Sequence, residues 1–365
     1  MAIVAGMAAV KFMAGVTFMT RVTCMARVNL ARLTRFAALL SLAALSGTLP
    51  ANAGTAIHFT LDRKVDGTTV PFFLAIDKGY FSDEGLDVTI DVTPGGAPEV
   101  FNRLAAAKAD MAVSDLNLLI KFRDTTGTPI KAVFIVFDKP PYAIIARKSR
   151  GIASPRDLQG KKLGAPAADP TFALWPIFAT VAGIDRAKVA VEDLGSPVCQ
   201  PMLAAGEIDA VTGFSFTAYV DLKARGVPAD DLAVLPMADY GIALYGDAIM
   251  VSPAFAQQKP DAVRAFLRAY VRALKDTVRD PAGAIVALFR HNEGLSKDVE
   301  LERLRLAIRE DNIVTPAVQA NGFGGIEPER FAAAIEQIAL AYRFKAKDKA
   351  AAAFDASFLP PAAER

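Results

Sequence analysis

Short alternating apolar runs, each followed by a helical stretch, occur twice over in this chain, and that double rhythm limits the architecture more than any other feature. Ile57, Phe59 and Leu61 alternate as a first strand, and Leu86, Val88, Ile90 and Val92 as a second. Between them 70–78 reads as a helix closed by Gly79. The turn 94–98 leads into a helix through 107, with Pro98 in its first turn. A buried strand at 111–113, a helix at 117–123 and strands at 131–137 and 142–146 complete the first half, the last two parted by Pro140-Pro141.

The pattern restarts at Ser154-Pro155-Arg156-Asp157-Leu158, a capped short helix. It continues as strand 163–165, helix 170–182 with Asp169 as N-cap, strand 189–191, helix 201–205 and strand 210–212. Asp247 opens a strand at 247–251 that returns to the first half. Helices follow: Val263, Phe266, Leu267, Tyr270, Leu274 and Val278 trace one face, Pro281 begins another helix, and 331–342 forms a third. Strands alternating with helices imply an α/β fold with largely parallel sheets. We expect two lobes, 54–141 with 246–365 and 142–245, joined by crossings near 138–148 and 240–248.

The first 53 residues hold Lys11, Arg21, Arg27, Arg32 and Arg35 and no acidic residue, so the remainder carries 36 basic against 39 acidic side chains. That mildly acidic balance gives no electrostatic footprint for nucleic acid. Arg27, Arg32 and Arg35 precede the apolar run 36–45, and Ala51-Asn52-Ala53 offers small residues two apart. This is the order of a secretory signal, expected to be cleaved after Ala53 and to place the mature chain in the periplasm. Met25 is the expected natural start. Cys24 is not read as a lipid-attachment site, because Arg21 lies just before it and no apolar run leads into it. Cys199 alone remains in the mature region, which leaves no intrachain disulfide or cysteine-built metal site; it reads as a small buried hydrophobe.

Several segments resemble the solute-binding proteins of ABC importers, in the branch serving nitrate, alkanesulfonates, taurine and thiamine-pyrimidine precursors. They are 71–81 (PFFLAIDKGYF) with 84–88 (EGLDV), Pro94-Gly95-Gly96, 104–113 (LAAAKADMAV), 157–164 (DLQGKKLG), 202–211 (MLAAGEIDAV), Tyr240-Gly241-Ile242 and 260–269 (PDAVRAFLRA). The resemblance implies the two-lobed type II periplasmic-binding fold, a ligand cleft between lobes, two interlobe crossings, a monomer, and delivery of the ligand to membrane permease subunits. No cofactor is implied.

In open α/β sheets ligands sit beyond the carboxyl ends of strands. Gly95, Gly96 and Ala97 form one such junction, where glycines admit a ligand to the backbone, although a plain turn would look the same. Asp169, Thr171 and Trp175 form a second; Asp169 serves equally as a helix cap and Trp175 as core. Phe214 and Ser215 follow strand 210–212 as a third. Phe72, Ser114, Asp115, Tyr142 and Tyr240 are further candidates, and for the tyrosines, as for Tyr245, hinge packing is the alternative. None of these junctions carries a basic residue. Aromatics with Asp115 and Asp169 suit a flat, amine-bearing heteroaromatic or pyrimidine-like solute better than an anion. Alkanesulfonate, taurine or nitrate binding is the alternative, which an anion-binding Arg63 or Lys64 in the cleft would favour.

An enzyme is the rival of another class. Fungal thiamine-pyrimidine synthases share this general fold and rely on an active-site histidine and a cysteine-rich run. Here the histidines are His58 and His291, and no cysteine cluster exists. LysR-type effector domains share the fold as well, but carry a helix-turn-helix where this chain has a signal-like segment. A sensor input module of the same fold, uncoupled from transport, is a third rival. The loop 321–326 (NGFGGI) reads as a turn.

Overall fold

The computed structural model describes residues 54–365 apart from Ala168, Asp311 and 345–349. The signal-like segment, Cys24 and the Ala51-Asn52-Ala53 site lie outside the described residues. Ten strands form two five-stranded sheets. The first sheet orders β2 (Leu86–Val92), β1 (Thr55–Leu61), β3 (Met111–Asp115), β10 (Asp247–Val251) and β4 (Lys131–Ile135). The second orders β7 (Ala190–Asp193), β6 (Lys162–Ala165), β8 (Ala210–Phe214), β5 (Tyr142–Arg147) and β9 (Leu232–Pro236).

Both sheets are mixed, which corrects the expectation of largely parallel ones. β2, β1 and β3 run parallel, as do β7, β6 and β8. β10 is antiparallel to β3 and β4, and β5 is antiparallel to β8 and β9. Each reversed strand is the first one laid down after the chain changes sheet. It enters from the cleft side, whereas the parallel strands end there.

The first crossing spans residues 136–141 and the second 237–246. They run side by side: the Gly246 N–H donates to Phe137 O at 2.9 Å, and a Cβ on Gly246 would stand 2.9 Å from that of Phe137. Arg330 staples the pair. Its guanidinium lies 4.0 Å from the Tyr245 ring centroid, donates to Asp138 Oδ2 at 3.1 Å, and donates to Leu244 O at 2.8 Å.

Apolar alternation places Ile57, Phe59 and Leu61 in the core beneath the helix Pro260–Arg279. Phe59 stacks on Phe266 at 5.2 Å and meets Phe72 at a tilt at 4.8 Å, and Phe72 packs against Tyr270 at 4.6 Å. The Tyr270 hydroxyl is buried and has no hydrogen-bond partner. Tyr270→Phe is therefore expected to leave stability within about 1 kcal/mol of the native chain, on the stabilising side, in a urea titration.

Two proline effects depart from expectation. The helix forecast over 170–182 is broken into Pro170–Ala173 and Trp175–Val181, because Pro176 has no N–H to continue the ladder. The helix forecast from Pro201 instead begins at Ser196 and carries Pro201 inside it. The C-terminal helices also straddle both lobes rather than serving the first alone. Pro328–Tyr342 sends Phe331, Ile335 and Ile338 into the same apolar cluster as Trp175 and Phe178. Lys297–Arg309 joins the second-lobe helix Ser215–Ala224, with Arg303 donating to Asp221 at 3.0 Å. Among the described residues, no helix is long and apolar enough to cross a membrane.

Candidate binding cleft

The carboxyl ends of β1, β2 and β3 and the start of β10 converge on one side of the first sheet, facing the ends of β6 and β8 across a cleft. The space consists of two chambers of about 630 and 660 Å³. Arg63, Pro166, Asp169 and Phe214 line both, so the chambers meet at these residues.

In the first chamber, Asp62 and Arg63 follow β1, and Gly95, Gly96 and Ala97 follow β2. Gly96 has φ +63°, a left-handed conformation that favours glycine at this turn. Asp115 closes β3 and caps the helix Leu116–Thr126, its Oδ1 accepting the Leu118 N–H at 2.8 Å. Asp247, the first residue of β10, lies opposite Asp115 in the antiparallel register. The second lobe contributes Pro166, Ala167, Asp169, Pro170, Ala173 and Phe214. Lys121 and Tyr342 complete the wall, with the Lys121 ammonium 4.9 Å from the Tyr342 ring centroid.

This chamber holds four carboxylates, Asp62, Asp115, Asp169 and Asp247, against Arg63 and Lys121. Arg63 is already engaged: it pairs with Asp247 at 2.5 Å and Asp62 at 3.1 Å, and its guanidinium lies 5.5 Å from the Phe214 ring centroid. Burial alone would depress the guanidinium, but Asp247, Asp62 and Asp66 outweigh it and hold it above its ordinary value. Burial, aided by the Asp247 charge, pushes Asp115 up to about 7 despite the bonds from Tyr142 and the Leu118 N–H. Burial likewise raises Asp247 against the pull of Arg63. It also raises Asp169, which accepts from Thr212 Oγ1 at 2.7 Å and from the Thr171 N–H at 2.9 Å. Several buried polar atoms here have no hydrogen-bond partner: Asp247 Oδ1, Arg63 Nε and the Tyr342 hydroxyl. Such groups are costly unless something bonds them.

Of the residues expected at the site, the structure gathers Gly95, Gly96, Ala97, Asp115, Asp169 and Phe214 around this space. It corrects the others. Phe72 is 1% exposed within the aromatic core. Trp175 is buried against Phe178 at 6.3 Å, and Tyr240 meets Phe178 edge-on at 5.7 Å. Ser114 is buried behind the floor and donates to Asp62 at 2.7 Å. Tyr142 also lies behind it, donating to Asp115 and accepting from Asn117 Nδ2 at 2.7 Å. Thr171 is buried with its hydroxyl unpartnered. Ser215 faces a different hollow, where it donates to Glu310 at 3.0 Å.

Away from the predicted junctions the cleft does hold bases: Arg63 and Lys121 line the first chamber, and Arg63, Lys64, Arg225 and Arg303 the second. Arg63 had a legible position, two residues beyond the end of β1. Asp247 did not, because a residue that begins a strand reaches a carboxyl-end cleft only when that strand runs antiparallel.

A profile of proteins described as NMT1/THI5 like matches residues 67–284, more than half of the chain. The chain belongs to the NMT1/THI5-like family. Among its relatives, the riboflavin-binding protein RibY of Chloroflexus aurantiacus is 29% identical over 217 residues, covering 58% of this chain and 59% of that protein. This chain thus spans less than two thirds of that relative's length. A formylaminopyrimidine-binding protein of Halalkalibacterium halodurans is 27% identical over 70% of this chain and 76% of its own. Another relative is the 4-amino-5-hydroxymethyl-2-methylpyrimidine phosphate synthase of Schizosaccharomyces pombe, 26% identical over 58% of this chain and 62% of its own.

Among solved structures, the aliphatic sulphonate-binding protein SsuA of Escherichia coli superposes with a TM-score of 0.64 at 15% identity, covering 79% of this chain and 92% of that one. The alkanesulfonate-binding SsuA of Xanthomonas axonopodis pv. citri bound to MOPS gives 0.61 at 18% identity, covering 83% and 98%. At such identities the likeness is one of fold. This NMT1/THI5-like chain has the two-lobed type II periplasmic-binding architecture, with two crossings and a cleft between lobes.

Proposed function

We propose that this chain is the exported solute-binding component of an importer, and that its solute is a flat, amine-bearing heteroaromatic. The observation that carries the reading is Asp247: buried at the cleft wall, one carboxylate oxygen unpartnered, in a chamber where acids outnumber bases two to one. A ring edge with N–H donors satisfies that oxygen, while Phe214 and Tyr342 offer aromatic surface to the ring. An anion in this chamber is disfavoured because Arg63, its partly buried base, is already held by Asp247 and Asp62. The riboflavin- and formylaminopyrimidine-binding relatives support a flat heteroaromatic solute.

Capture then proceeds by lobe closure about the two crossings, which excludes water and strengthens each polar contact before the closed form meets a permease. The synthase alternative finds less support. His58 sits on the interior strand β1, where its backbone N–H donates to Asp110 and its ring lies 2.9 Å from Lys108 O and 3.1 Å from Asp91, and His291 pairs with Asp77 at 2.7 Å; neither lines the cleft.

A thermal-shift screen of the chain from Gly54 onward tests the proposal, with riboflavin, formylaminopyrimidine, taurine, an alkanesulfonate and nitrate as probes. A heteroaromatic at 100 times its Kd stabilises the fold by about 2.7 kcal/mol, several degrees in melting temperature. Stabilisation by sulfonate or nitrate alone would overturn the ligand class.

A further inference from the structure

The second chamber differs from the first in what is left unpaired. Its acids are occupied. Glu300 and Asp221 hold Arg303 at 3.0 Å each, Glu300 also accepts the Gly67 N–H at 2.8 Å, and Asp66 caps the 67–69 turn through Thr68. Asp169 is taken by Thr212 and the Thr171 N–H. Two cations on this chamber's lining, Lys64 and Arg225, form neither an ion pair nor a side-chain hydrogen bond among the described residues. They come from opposite lobes: Lys64 follows β1, and Arg225 ends the helix Ser215–Ala224. Gln200 adds a donor on the same wall.

From this we infer that the solute is a two-part molecule. Its flat amine-bearing head fills the carboxylate chamber, and an anionic tail group lies in the second chamber between Lys64 and Arg225. This rests on the cleft reading above and adds a second ligand chemistry to it. A guanidinium fork and an ammonium on facing lobes suit a phosphate or carboxylate, and lobe closure would bring both onto it. The junction is suited to a connecting chain, since Phe214, Pro166 and the Arg63 guanidinium floor both chambers.

Calorimetry with matched probes tests this: riboflavin against riboflavin 5′-phosphate, and 4-amino-5-hydroxymethyl-2-methylpyrimidine against its phosphate. Each is titrated into the native chain and into a Lys64→Ala/Arg225→Ala variant, whose substituted side chains are exposed and leave the core untouched. For a head that binds, the phosphorylated form should bind the native chain about tenfold tighter, a difference of about 1.4 kcal/mol. In the variant the two forms should become equal, with the unphosphorylated form unchanged from its native affinity. Equal affinities in the native chain, or a preference that survives in the variant, overturns the inference. If neither head binds, the head assignment under the proposed function fails. Inorganic phosphate then tests the tail site alone: a rise in melting temperature that disappears in the variant supports it, and no rise in the native chain overturns it.

Discussion

Replacing Arg63 by Met should cost the fold about 3 kcal/mol at pH 7, the usual penalty for leaving one partner of a buried ion pair alone. Asp247 is 1% exposed and pairs with Arg63 at 2.5 Å, and Asp62 and Asp115 lie close enough for their charges to raise it or be raised by it. Without the guanidinium, the charges of Asp62 and Asp66 push Asp247 up unopposed by Arg63, and its folded-state pKa moves further above its unfolded value. A carboxyl raised on folding loses native stability as pH rises through the window between the two values. The cost should therefore shrink as pH falls toward 5 and be greatest above neutrality. Urea titrations at pH 5 and 8 check this. A second variant, Arg63→Met/Asp247→Asn, removes both charges and should recover most of the loss. A single-variant cost that does not change with pH would show that packing of the Arg63 stem, rather than its charge, is what the fold uses.

Asp115→Asn should have the opposite sign. Asp115 is 2% exposed and raised to about 7 by burial and by Asp247. Below about pH 4 it is protonated in both the folded and unfolded chain, and the two proteins should be equally stable. Between about 4 and 7 the native carboxyl keeps a proton that the unfolded chain releases, so native stability falls as pH rises. Above 7 the fold carries the full penalty, about 4 kcal/mol for a shift of this size. Asparagine carries no such penalty and remains a good N-cap for the Leu118 N–H. The variant is therefore expected to be more stable than the native chain at pH 8 and indistinguishable at pH 4, by guanidinium titration at both. A variant less stable at pH 8 would mean that the Tyr142 bond to the charged carboxylate outweighs the desolvation. The penalty also explains how such a residue serves a binding site: a ligand donor recovers part of what burial costs.

Local rules made the elements legible. Period-two apolar runs marked β1 and β2, and a short continuous apolar run marked β10; the left-handed glycine at Gly79 closed the first helix; Asp169 and Ser154 capped the helices they precede. These are short-range effects, set by backbone sterics and by which face each side chain takes. The glycines and Ala97 after β2, Asp115 at the end of β3 and Asp169 in the turn beyond β6 were readable for the same reason, since a strand end fixes where the chain turns into its helix. β9 was not foreseen, because Leu232-Ala233-Val234-Leu235-Pro236 does not alternate and takes its order from pairing with β5.

Residue pattern alone was enough to read an α/β chain with two strand–helix series and a late return strand. Which strands reverse depended on the packed fold. The fold thereby brought Asp247, the opening residue of β10, face to face with Asp115 and Arg63. It also turned Phe72, Trp175 and Tyr142 from candidate ligand contacts into core and hinge. The physical reason is that burial and charge pairing are set by neighbours distant along the chain, while secondary structure is set largely by adjacent ones.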